Sequence, residues 1–179
     1  YREARERFEE NGCSLIILSH LHGDLSTVNH VGALLVMRAA FELCVFDGDA
    51  VRLMKYDDHR VFVYCKRPED AVVAVLKVFA MAKVCSARHS QMQVRISAGI
   101  EAGDWLLLAG DYCGDPVNVA SKLAEDIGGP GNFFISEKTH ELLQASSDSA
   151  FAEHYSKLSF ETRETTISKV TIGYEAITQ

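Results

Sequence analysis

No internal repeat, low-complexity tract or basic stripe runs through this sequence of 179 residues. Without the first two, disorder is excluded beyond the ends. Lys and Arg number 18 against 25 Asp and Glu, a formal net charge of −7. That balance argues against nucleic acid or an anionic membrane surface as a partner. The apolar runs are too short, or too broken by charge, to cross a bilayer, so this segment is not expected to insert directly into a membrane. No signal peptide is visible. CxxC spacing is also missing. The five cysteines, Cys13, Cys44, Cys65, Cys85 and Cys113, are scattered through apolar surroundings. Such an odd, unpatterned set reads as reduced core thiols, and the expected location is cytoplasmic. What is present is ordinary globular chemistry, 47% hydrophobic and 24% charged. The length fits one compact domain spanning 1–179.

Residues 1–10 are mostly charged or polar with a helical look, and are read as a connecting helix from an upstream domain or a solvated first turn. Ser14 to Leu21 is a continuous apolar run, expected as a buried central strand. Ser26 or Thr27 can cap a helix with Val31, Leu34, Leu35, Phe41 and Val45 at helical spacing, ended by Asp47-Gly48-Asp49. Val51–Lys55 and Val61–Cys65 flank a polar turn and predict a hairpin. Pro68 opens a second helix, with Val72, Leu76, Phe79 and Val84 on its apolar face. Val94–Ile100 and Leu106–Leu108 read as a further strand pair. A third helix runs from Asp115-Pro116 to about Ile127 and stops at Gly128-Gly129-Pro130-Gly131. A short strand over Phe133–Ile135, a short helix capped by Ser136 and a terminal strand pair complete the order. The expectation is an α+β fold, a ferredoxin-like kernel with a mixed, mainly antiparallel sheet and its helices on one face.

The chemistry concentrates in Arg95-Ile-Ser-Ala-Gly-Ile-Glu-Ala-Gly103 and in Gly110-Asp-Tyr-Cys-Gly-Asp-Pro-Val-Asn-Val-Ala-Ser-Lys-Leu-Ala-Glu-Asp126. Asn118 and Lys122 stand four apart on the predicted helix, so both leave one face. Near a helix N-terminus, an amide donor and a cation suit a phosphate. Alone, the same pair is an ordinary solvated helix face.

The joint pattern resembles the class III adenylyl and guanylyl cyclase catalytic domain. That family has a strand ending G-I-x-x-G, then D-x-x-G-x-x-V-N-x-A-S-R/K opening a helix. The match is densest over Gly99 to Lys122, and the resemblance extends from about Ser14 to Glu175. It implies that Asn118 orients the ribose. Lys122 stands where the family has an arginine that stabilises transition-state phosphate charge. Lysine occurs there in bacterial-type sequences reading ASKLxED, as this one does; it keeps the charge and loses the bidentate fork. Lys55 and Asp111 match the pair that recognises the base, a donor and an acceptor that favour the adenine of ATP.

The departure lies at the metal positions. The family places one aspartate at the end of the first strand, in D-I-x-G-F-T, and one in the first hairpin, in K-x-x-G-D. They hold two Mg²⁺ or Mn²⁺ ions. Aligned on Gly23, the first position is His20; counted from Lys55, the second is His59. Mg²⁺ prefers oxygen ligands, so two imidazoles replace the aspartates poorly. A nitrogen site for a transition metal is the alternative. Asp24, Asp57 and Asp58 could restore Mg²⁺ binding only if the turns differ from the family's.

Class III sites form between two domains. One supplies the metal aspartates; the other supplies the base-recognising pair, the asparagine and the basic residue. The second half of the mammalian membrane adenylyl cyclases keeps only the second set, as this chain does. The resemblance therefore implies a degenerate cyclase-like domain, inactive or weak as a homodimer. It would bind an ATP-like nucleotide or complete a composite site with a metal-bearing partner domain in cyclic-nucleotide signalling. The alternatives are an active adenylate cyclase making cyclic AMP and diphosphate with a divergent metal site, and a dimerisation scaffold that binds no nucleotide.

Overall fold

The computed structural model describes residues 9–22, 35, 38, 39, 42, 49–57, 59–88, 93–108, 111–167 and 170–178. Along the chain come β1 (Glu9–His22), β2 (Val51–Asp57), β3 (Arg60–Cys65), α1 (Pro68–Arg88), β4 (Gln93–Leu108) and β5 (Asp111–Cys113). Then follow α2 (Asp115–Lys122), β6 (Phe133–Ser136), α3 (Glu137–Gln144), α4 (Ser149–Tyr155), β7 (Ser159–Ile167) and β8 (Val170–Thr178).

The apolar run of β1 lies inside one sheet of eight strands, ordered β2-β3-β1-β4-β6-β8-β7, with β5 paired to β4. The order β2-β3-β1-β4 is that of a ferredoxin-like kernel. All pairings are antiparallel except β4 with β6. Gly12 to Ser19 are all buried because both faces of β1 are covered. Strand alternation sends Cys13, Leu15 and Ile17 toward α1, where they share a core with Val72, Val75 and Val78. Ile16 points the other way and packs with Ala120 of α2 and Ala124 beyond it. Each such side chain contributes about 2 kcal/mol by leaving water.

Helix α1 forms because Ala71, Val72, Val75, Val78, Phe79 and Ala82 recur at helical spacing and are all buried. Glu69 and Asp70 sit favourably in its first turn. Arg67, just ahead of it, pairs with Asp70 at 2.9 Å and with Asp148 at 3.0 Å.

Several elements differ from the sequence expectation. Glu9 and Glu10 belong to β1, opposite Leu106 and Trp105, so the connecting helix expected over 1–10 does not extend to them. Tyr1 to Phe8, and most of the helix expected after Ser26, lie outside the described residues. Val94–Ile100 and Leu106–Leu108 form one strand rather than a pair, because Glu101 to Trp105 keep pairing with β1. Its partner hairpin strand is the short β5. Helix α4 was not foreseen, although Asp148 caps it by accepting from the backbone N–H groups of Ala150 and Phe151 at 3.0 and 3.1 Å. The helices cover both faces of the sheet rather than one, α1 on one side and α2 on the other.

Candidate functional site

The site is built on the face of the sheet beneath α2. Helix α2 begins after Gly114, whose φ of +136° suits glycine, with Pro116 in its first turn and Asp115 at its positive end. It lies directly on β4 at Gly99. A Cβ there would run into the Ala120 carbonyl and come within 2.8 Å of Leu123 Cβ and of the Ala124 amide nitrogen. The glycine of the G-I-x-x-G motif thus sets the distance between helix and sheet.

On α2, Pro116, Val117 and Ala120 are buried, while Asn118 is exposed and Lys122 half-buried. The α-helix stops at Lys122 and continues as a π-helical turn over Leu123–Ile127. Lys122 therefore stands in the last α-turn, not near the N-terminus as its place in the motif suggested. The dipole of the helix favours anions only in the first turn, so Asn118 is closer to that field than Lys122.

Lys55 is exposed on β2, opposite Phe62, just after an irregularity between Leu53 and Lys55. Its Nζ stands 6.0 Å from the Phe62 ring centroid. Phe62 packs against Ile16, Ala120 and Ala124, so Lys55 shares the sheet face of α2. Asp111 begins β5 opposite Leu108; its side chain lies outside the described residues.

The hairpin brings the two histidines close along the backbone. The His59 carbonyl accepts from both the backbone N–H and the hydroxyl of Ser19, at 2.9 and 3.0 Å. Ser19 immediately precedes His20. The His20 ring, however, turns into the fold. Its Nε2 lies 2.8 Å from Ser97 Oγ, and that hydroxyl donates to the Ala124 carbonyl at 2.9 Å. A carbonyl only accepts and a serine has one hydroxyl hydrogen, so Ser97 must accept from His20 Nε2–H. The nitrogen that carries this proton has no lone pair for a metal. His59 is exposed.

Two of the described acids nearby, Asp57 and Glu125, are also committed. Arg60 donates to Asp57 at 2.6 Å and to both carboxylate oxygens of Glu125 at 3.1 and 3.3 Å. The bond to Glu125 is the largest cause that raises the Arg60 guanidinium above its already high ordinary value. One guanidinium thus ties the hairpin bearing Lys55 and His59 to the π-helical turn after Lys122. Asp24 and Asp58 lie outside the described residues. Among the described residues, no three His, Cys, Asp or Glu side chains come together as a metal site. A magnesium pair of the cyclase type does not fit the groups described here.

Ser97, Arg60 and Glu125 carry these contacts, and none was singled out from the sequence. Glu125 had the one signal, as part of the ASKLxED run. Ser97 becomes a partner of His20 only through the register of β1 and β4.

The same fold occurs in solved structures. An adenylate/guanylate cyclase/hydrolase from Silicibacter pomeroyi superposes with a TM-score of 0.68 at 18% identity, covering 94% of this chain and 96% of that one. The adenylyl cyclase CyaB from P. aeruginosa gives 0.62 at 17%, covering 96% of each. A guanylyl cyclase domain of the RhoGC fusion protein from Blastocladiella emersonii gives 0.66 at 14%, covering 94% and 97%. The fold is that of the class III cyclase catalytic domains. Because adenylyl and guanylyl cyclases both occur among these structures, the cyclase-like fold does not choose the base. No family model matches the sequence. Uncharacterized proteins of Mycobacterium tuberculosis and Mycobacterium bovis are 32% identical over 99 residues, 55% of this chain. The chain spans 25% of the length of these curated relatives. No helix among the described residues is long and apolar enough to cross a membrane.

Proposed function

We propose that this cyclase-like domain binds an ATP-like nucleotide without supplying metal ligands, and works as the metal-deficient half of a two-fold pair. The pair is formed with a second copy or with a metal-bearing cyclase domain. The observation that carries the reading is the bond from His20 to Ser97. At the position where the family needs a hard oxygen ligand, this chain has an imidazole whose Nε2–H is used inside its own fold. In this reading Lys55 and Asp111 face the purine edge, Asn118 the ribose and Lys122 the phosphates. These groups position and neutralise a nucleotide; none of them lowers the pKa of the ribose hydroxyl that would have to attack. Cyclisation within a homodimer is therefore negligible. In a heterodimer the facing domain supplies the missing carboxylates.

Calorimetric titration of the chain with ATP, with and without Mg²⁺ or Mn²⁺, tests this. Saturable ATP binding that Mg²⁺ does not strengthen, weakened about tenfold in Asn118→Ala, is the expected result. No binding under any condition would favour the scaffold instead.

A further inference from the structure

A second concavity lies away from the α2 face, at the end of the sheet where β4 and β6 begin and β8 ends. We propose that it is a binding site for an amphipathic monocarboxylate. It encloses about 510 Å³ between the C-terminal half of α1 and the sheet, within the range of small-molecule sites. Phe79, Ala82, Val94, Ile96, Phe133 and Ile177 line it, and every one of them is buried. Phe79 and Phe133 meet edge to face with centroids 5.7 Å apart, which fixes one wall. The polar groups of the wall are already used. Ser86 both donates to the Val94 carbonyl and accepts from the Val94 N–H, and the Gly131 N–H donates to the Ile96 carbonyl. An apolar body loses nothing to unmet hydrogen bonds there. At Gly131 a Cβ would meet no atom within 4 Å, so this wall stands back from the cavity.

Charge at the mouth selects the head group. Lys83 is exposed on the rim, and its ammonium has no hydrogen-bond or ion-pair partner among the described residues. Arg95 also borders the cleft, but strand alternation directs its side chain to the face opposite Val94 and Ile96. Among the described residues no acid lines the cleft, although acids outnumber bases 25 to 18 in the chain. A smaller concavity near Arg67 differs, because acids line it: Glu69, and Asp70 and Asp148, which pair with Arg67. An apolar interior with one uncommitted cation at its entrance fits a fatty-acid-like anion, with the tail against Phe79 and Phe133 and the carboxylate at Lys83.

This site is independent of the nucleotide reading, and its test leaves α2 untouched. The whole chain is titrated calorimetrically with decanoate and with decyltrimethylammonium, which carries the same tail on a cation, both below their micelle concentrations. Decanoate should saturate one site at least about tenfold more tightly than the cation. Lys83→Glu should abolish that preference. Thr178→Trp, a change at an exposed position of the mouth, should weaken decanoate about tenfold or more by filling the entrance. Both variants should keep the wild-type affinity for ATP. Absence of saturable decanoate binding, equal affinity for the two probes, or decanoate binding unchanged in both variants would overturn the proposal.

Discussion

His20 illustrates how one side chain changes what a site can do. Its Nε2–H ties β1 to Ser97 on β4, and Ser97 ties onward to Ala124. His20→Ala should therefore cost about 1–3 kcal/mol of stability by stranding a buried serine. His59→Ala, at an exposed turn, should stay within about 0.5 kcal/mol. Urea unfolding of both variants checks the contrast, and equal effects would contradict it. Glu101 gives a second test at this scale. Burial raises its carboxyl above the ordinary value, against the bonds from Ser136 and Thr139 and the nearby Lys138 charge. A carboxyl that holds its proton longer when folded contributes most below its unfolded pKa of about 4.3, and loses that contribution as pH rises toward the folded value. Glu101→Gln should flatten this fall in stability, read from urea midpoints between about pH 4 and about pH 7. The spacing of His20 and His59 to Gly23 and Lys55 was legible in the sequence, and their assignment to the metal positions rests on it. The fate of the His20 ring was not, because its partner is 77 positions away in the chain and is set by strand register.

Among the elements, α2 holds the candidate groups in place, and it does so through what β4 lacks at Gly99. Gly99→Ala would push the helix off the strand and should cost about 1–3 kcal/mol. If α2 carries nucleotide contacts, the same variant should also weaken ATP binding, which calorimetry reads directly. Ser136 caps α3 by accepting from the Thr139 N–H at 3.1 Å, and Ser136→Ala should cost about 1 kcal/mol in the same unfolding assay. Strands and helices with strong periodicity or a clear cap, such as β1, β3, α1 and α3, were legible before the structure. The unbroken β4 was not, because Gly103 and Asp104 resemble a turn until pairing with Gly12 and Asn11 is known. The π-helical turn after Lys122 was also hidden, since Leu123 to Ile127 keep an ordinary helical pattern. That turn matters because it moves Lys122 to the end of the α-helical segment and presents Glu125 to Arg60.

At the scale of the whole molecule, one sheet positions both sets of candidate groups. Lys55 and His59 come from the hairpin, Asn118 and Lys122 from α2, with the Arg60–Glu125 bond between them. The order of elements announced the ferredoxin-like kernel, and the motifs over Gly99 to Lys122 announced the cyclase-like fold. Placement of α2 on the opposite face was missed because a helix pattern tells which side is apolar, not which side of a sheet it covers. The central claim is that this arrangement holds a nucleotide and cannot cyclise it alone. The direct test is cyclic AMP and cyclic GMP production by the purified chain in Mg²⁺ and in Mn²⁺ against a protein-free blank. The double variant His20→Asp with His59→Asp is assayed in parallel. The account predicts no wild-type product above the blank, with stronger Mg²⁺ binding in the double variant. Robust wild-type turnover that Asn118→Ala abolishes would contradict it.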